Sequence, residues 1–265
     1  MVRNLLYNCC PVAASKEWRL NVAKLNQYAG TFNGRRLVIL RVGPGMAPPE
    51  EVQAAFTFEA EFIELPNNPA EGERSGLLDV LGKLESLRAD EITFYAHTKG
   101  VSYTPARFPF MQPSLDYELY PIRAWRNIMY EQCLQDPQRI DDVMADHATC
   151  GCFRRKFSLT QWAFYGTFYW LRHDRLFSQD WRGKLPSRHH GTTETYPDAL
   201  FPIEESYCLY EHDHDTNFSL YTMPHPFKCS KCHATQLCRI GLGHAPVVAC
   251  PCGYVATIEI HHVSV

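Results

Sequence analysis

Two close cysteine pairs near the end of the chain, Cys229-x2-Cys232 and Cys250-x-Cys252, constrain the fold of their segment more than any other feature. Tetrahedral zinc takes two thiolates from each of two tight turns, and the seventeen residues between the pairs suffice for a hairpin that brings them together. So short a segment cannot bury a stabilising core alone, so metal binding supplies its folding free energy in this reading. Cys238, His233 and His244 are rival ligands, and the Cys-Pro-Cys-Gly pair is tighter than the usual two-residue gap. The plain alternative is reduced cysteines in a hairpin. A composition shift at Pro224-His225-Pro226 marks a linker, giving a main domain over 1–222 and a zinc-ribbon-like module over 223–265.

Eleven cysteines are an odd number, and five crowd between Cys229 and Cys252, which fits metal ligation in a reducing compartment better than a disulfide framework. Cys9, Cys10, Cys133 and Cys208 sit among apolar neighbours and read as small core residues. Cys150-Gly-Cys152 has no evident partner pair and is not read as a second zinc site. A net charge of -3 argues against a protein that mainly coats nucleic acid, while Lys228, Lys231 and Arg239 give the tail a mildly cationic character. No run approaches the length of a membrane span, and the first residues lack the pattern of a signal peptide, so the expectation is a cytoplasmic protein.

Strand and helix signals alternate through the first hundred residues, the pattern of a parallel sheet covered by helices. Strands are expected at Leu5 to Cys10, Arg36 to Gly43, Ala60 to Leu65 and Glu91 to His97, and helices at Glu17 to Tyr28, Glu50 to Thr57 and Gly72 to Leu87. Further helices are expected from Pro121 to Leu134 and after Asp136-Pro137, and further strands at Cys150 to Phe153 and Tyr165 to Leu171. Tyr165, Tyr169 and Trp170 form either a stacking platform for a sugar or base, or core. Trp125, Trp162 and Trp181 are assigned to packing.

The order LLYNCCP, the helix with Trp18, GERSGLLDVLGKL, ITFYAHTKGV, YGTFYWLRHDRLF and GTTETYPDALFPIEES resembles small bacterial and viral nucleotide-sugar glycosyltransferases of the GT-A type. The resemblance covers residues 3 to 222 and implies a Rossmann-related α/β fold, a mixed sheet flanked by helices. In open sheets of this kind ligands bind beyond the carboxyl ends of the strands. Asn8, Pro11, His97, Lys99 and Gly100 fall there as donor-binding candidates. Lys99 supplies a cation for a leaving diphosphate. Many GT-A enzymes hold a divalent metal with Asp-x-Asp after this strand, but this chain has His97-x-Lys99. Two readings follow: His97 ligates manganese or magnesium, helped by His212-Asp213-His214-Asp215, or His97 and Lys99 hold the diphosphate directly.

Transfer also needs either a base that deprotonates the acceptor hydroxyl or a mechanism that keeps the leaving group on the same face. Glu194, Glu204 and Glu205 are candidates, with Glu194 first because the preceding Gly191-Thr192-Thr193 favours a shaped turn. Gly166, Thr167 and Tyr196 are the acceptor-contact candidates. The expected acceptor is a polysaccharide, a protein or a hydroxymethylated base in viral DNA. The competing expectation is a non-catalytic binding protein whose zinc ribbon contacts nucleic acid or protein, supported by the missing Asp-x-Asp.

Overall fold

Three strands with continuous buried stretches, as expected of strands covered on both faces, and a more exposed edge strand lie parallel and adjacent. In the computed structural model they are β1 (Val2–Cys9), β2 (Arg36–Val42), β3 (Glu61–Pro66) and β4 (Glu91–His97). The structure describes residues 1–101, 115–158, 161–185, 193–210, 224–228, 235–239, 247–249 and 255–257. The chain divides into two compact units, one of residues 1–104 and 126–211, the other of 105–125 and 212–265.

The first unit is built on a mixed seven-stranded sheet of order β3-β2-β1-β4-β8-β5-β9, in which β5 (Thr149–Cys152), β8 (Tyr169–Arg172) and β9 (Ser206–Tyr210) complete one side. Strand β8 runs antiparallel to both β4 and β5, and β9 runs parallel to β5. This is an α/β architecture compatible with a Rossmann-like fold. Helix α1 (Glu17–Gln27) links β1 to β2 and buries Trp18, Val22 and Leu25 at helical spacing. Helices α2 (Pro49–Ala54) and α3 (Leu77–Gly82) precede β3 and β4. After β1 the chain places β2 and β3 on one side and β4 on the other. The order therefore reverses between β1 and β4, where open sheets of this class leave a crevice.

Helix α4 spans Leu115–Leu134, starting earlier than the Pro121 expected from periodicity. Helix α5 (Pro137–Asp146) follows the expected start, with Asp136 as N-cap accepting from the Arg139 N–H and Pro137 in the first turn. Two differences matter for function. The segment 72–87 is not one helix: Gly76 adopts φ +70, and a Cβ there would meet Leu65 Cδ1 at 2.2 Å, so the backbone turns before α3 begins. The run 165–171 is not one strand either. Gly166 and Thr167 adopt φ +91 and +61, separating β7 (Trp162–Phe164), which pairs with β6 (Arg154–Lys156), from β8.

Tyr169, Trp170, Trp162 and Trp181 are buried, so packing rather than stacking on a ligand is the role of Tyr169 and Trp170. Cys9, Cys133, Cys150 and Cys152 are buried thiols, while Cys10 and Cys208 are partly exposed. Among the described residues no helix is long and apolar enough to cross a membrane.

In the second unit, β10 (Pro224–Lys228) pairs antiparallel with β11 (Thr235–Arg239), and β12 (Val247–Ala249) pairs antiparallel with β13 (Val255–Thr257). Cys229 and Cys232 belong to the connection 229–234, and Cys250 and Cys252 to the connection 250–254; all four lie outside the described residues.

One buried histidine sets an acid limit on stability. His173, at the start of α6 (His173–Leu176), is fully buried, with Nδ1 3.0 Å from Ser86 Oγ and Nε2 2.7 Å from Thr93 Oγ1. Burial pushes its pKa down to about 4, against the opposing pull of Glu91 and Asp174. The unfolded ring titrates near ~6.5, so between these values the unfolded chain binds more protons than the folded one. Stability is complete above that range and falls as pH drops from about 6.5 to about 4, by about 3 kcal/mol for a shift of this size. Urea unfolding across this range should show the loss in the wild type and a flatter profile in His173→Gln; equal slopes would assign the acid sensitivity to other groups.

Candidate functional site

Chain geometry converges at the carboxyl ends of β1 and β4. Asn8 lies opposite His97 in the parallel register, and beyond them the backbone is tied together. Thr98 N–H donates to the Asn8 carbonyl at 3.1 Å, and Thr98 Oγ1 accepts from Cys10 N–H at 2.9 Å. Asn21 on α1 then grips Lys99 by both backbone groups, accepting from its N–H at 3.1 Å and donating to its carbonyl at 2.9 Å. Gly100 closes this turn with φ +86, a left-handed conformation that glycine adopts without strain.

His97 and Lys99 each meet a carboxylate. His97 Nδ1 is 2.5 Å from Glu73 Oε1, and its Nε2 is 3.2 Å from the Gly166 carbonyl. Both ring nitrogens therefore face acceptors. Glu73 also accepts from Thr193 Oγ1 at 2.8 Å, and its backbone carbonyl accepts from Asn8 Nδ2 at 3.3 Å. Burial alone would raise the Glu73 carboxyl. The charge and hydrogen bond of His97, the Thr193 hydroxyl and Lys99 outweigh it, holding the pKa at about 2. Glu73 is thus ionised at any neutral pH.

Glu194 forms the second half of the cluster. Its Oε1 accepts from the Gly166 N–H at 2.9 Å and lies 3.7 Å from Lys99 Nζ. Gly166 thus touches both halves, its N–H on Glu194 and its carbonyl on His97, and its left-handed backbone with that of Thr167 makes this two-way contact. Thr167 Oγ1 reaches Thr193 Oγ1 at 3.5 Å. Arg41, at the end of β2, donates from Nε to Asn8 Oδ1 at 3.1 Å and from Nη2 to the Ser75 carbonyl at 2.5 Å.

Of the sequence candidates, Asn8, His97, Lys99, Gly166, Thr167 and Glu194 meet in this cluster, and Gly100 shapes its turn. Pro11 is buried just after β1, with its carbonyl accepting from the Ala47 N–H. Tyr196, at the start of α7 (Tyr196–Leu200), is fully buried and donates to the Trp181 carbonyl at 2.8 Å. Glu204 lines a separate cleft of about 390 Å³ with Lys156, Gln161 and Asp198. Glu205 lies 3.6 Å from Arg175. Glu73, Arg41, Thr193 and Asn21 were not expected from sequence; Gly72 and Gly76 on either side of Glu73 are the one local signal that its segment turns.

Both His97 nitrogens are engaged, and among the described residues no three His, Cys, Asp or Glu side chains gather as a metal site. His212-Asp213-His214-Asp215 lies outside the described residues. In comparisons with known proteins, no family model matches the chain and no curated protein matches it.

Proposed function

We propose that the chain is a glycosyltransferase that moves a sugar from a nucleotide diphosphate donor to an acceptor hydroxyl. The observation that carries this reading is the charged cluster of Glu73, His97, Lys99 and Glu194 at the strand-order reversal, where open α/β sheets bind nucleotides. In the reaction the bond from the sugar carbon to the diphosphate oxygen breaks and the acceptor oxygen bonds to that carbon. The hydroxyl proton passes to a carboxylate, and the diphosphate leaves with its extra negative charge. Glu194 is positioned as the base, its carboxylate oriented by the Gly166 N–H. Lys99 offers positive charge to the leaving group, and His97 lies beside it as a further contact. Saccharide, protein and hydroxymethylated DNA are the acceptor classes to compare.

Nucleotide release from a panel of uridine, guanosine, cytidine and thymidine diphosphate sugars, with and without manganese, tests the reading and names the donor. Release from at least one donor, abolished in His97→Ala, is expected. The lack of release from any donor would instead favour a non-catalytic binding protein, a reading that the missing Asp-x-Asp motivates.

The segment 223–265 is proposed as a zinc ribbon held by Cys229, Cys232, Cys250 and Cys252. Its support is that each cysteine pair falls in the connection of an antiparallel strand pair, the backbone setting from which two turns offer four thiolates. Metal analysis of the purified chain should find one zinc per molecule, lost in Cys232→Ser and on treatment with a strong chelator. Zinc-free protein with an unchanged circular dichroism spectrum would reduce the segment to a pair of plain hairpins.

A further inference from the structure

Arg41 is the one cationic group of the cluster without a carboxylate at ion-pair distance among the described residues. Its side chain is buried, at 2 % exposure, and its two hydrogen bonds go to neutral acceptors, Asn8 Oδ1 and the Ser75 carbonyl. The third guanidinium nitrogen, Nη1, is buried and has no acceptor. Removing a guanidinium from water is costly, and an open donor on a buried cation leaves that cost unrepaid. Its neighbours are differently placed: His97 is matched by Glu73 and Lys99 by Glu194. Among the described residues Arg41 has no carboxylate at ion-pair distance of its own, and Glu73 and Glu71 act on it only from further away.

We propose that Arg41 is an oxyanion-binding residue of this crevice, its open Nη1–H donating to a phosphoryl oxygen of an anionic ligand. The guanidinium suits that partner, since its planar fork matches the spacing of two oxygens on one phosphorus. The segment that covers it, 67–76, is tied to the cluster through Glu73 and Ser75 and turns at Gly72 (φ +56) and Gly76 (φ +70). An incoming oxyanion takes the place of the Ser75 carbonyl at the guanidinium edge, and Arg41 exchanges a neutral acceptor for a charged one. The proposal rests on the diphosphate reading for its ligand class but not on catalysis.

Inorganic pyrophosphate titrated into the full chain by calorimetry, in the presence of a chelator to remove divalent ions, tests it. Saturable binding is expected in the wild type. Arg41→Lys, which keeps the charge but loses the fork, should weaken it by about tenfold or more, and Arg41→Gln by up to about a hundredfold. Lys99→Met should weaken it less than Arg41→Lys. As Arg41→Gln risks misfolding, a tungstate soak of wild-type crystals provides an independent readout: anomalous density at hydrogen-bond distance from Nη1 supports the assignment. Unchanged affinity in a folded Arg41→Lys, no saturable pyrophosphate binding, or tungstate found only beside Lys99 and His97 overturns it. Pyrophosphate binding through Arg41 with no sugar nucleotide consumed would leave this assignment standing and remove glycosyl transfer. Nucleotide release with affinity indifferent to Arg41 would do the reverse.

Discussion

Glu194→Gln should lower the rate of nucleotide release by about 10²- to 10⁴-fold, the range typical of losing a general base. The amide keeps the acceptor for the Gly166 N–H and so preserves the turn, but it can no longer take a proton or balance Lys99. The fold should therefore survive, and a thermal midpoint close to that of the wild type is the control. Glu204→Gln serves as comparison, because Glu204 lines the cleft with Lys156 and Asp198 and not the cluster. If Glu194→Gln retained the full rate while Glu73→Gln lost it, the base would be the His97–Glu73 pair, and the role given to Glu194 would be withdrawn.

Glu17→Ala should destabilise the first unit by about 3–5 kcal/mol, the usual cost of leaving one member of a buried ion pair alone. Arg126 Nη1 donates to Glu17 Oε2 at 3.0 Å, and the side chains are 5 % and 1 % exposed. Arg126 Nε is buried without an acceptor, so removal of the carboxylate leaves the guanidinium without its ion-pair partner. The damage also reaches the site, since Asn21 lies one turn further along α1 and donates to the Glu17 carbonyl as well as holding Lys99. Urea unfolding measures the loss. The double variant Glu17→Met/Arg126→Met should recover most of it, because two apolar side chains carry no desolvation cost. A double variant as unstable as Glu17→Ala would mean that the loss is one of packing and not of charge.

Some of this was legible in the chain. The run Glu91-Ile-Thr-Phe-Tyr-Ala-His97 reads as a buried strand that stops at polar residues, and the observed β4 has the same limits, so His97 and Lys99 fall where a parallel sheet displays its ligands. Asp136-Pro137 announces its helix through cap chemistry that is local. Glu73 was hidden because Gly72 to Leu87 carries helical spacing. The close approach of Leu65 to Gly76 is a tertiary contact, and it frees Glu73 to turn toward His97. Arg41 was hidden for another reason: it closes the apolar strand RLVILRV, where periodicity cannot tell a surface arginine from a buried one. Nor can one sequence tell which loop glutamate faces the crevice: the turn at Gly191-Thr192-Thr193 favours Glu194, but it does not remove Glu204 and Glu205.

The central claim is that the carboxyl ends of β1 and β4 receive a nucleoside diphosphate. Amide chemical-shift mapping of the labelled chain with uridine, guanosine, cytidine and thymidine diphosphates tests it without requiring turnover. The account predicts that at least one of them shifts Asn8, Lys99, Gly100 and Gly166 most strongly. Shifts confined to other parts of the chain, or none with any of the four, would contradict it.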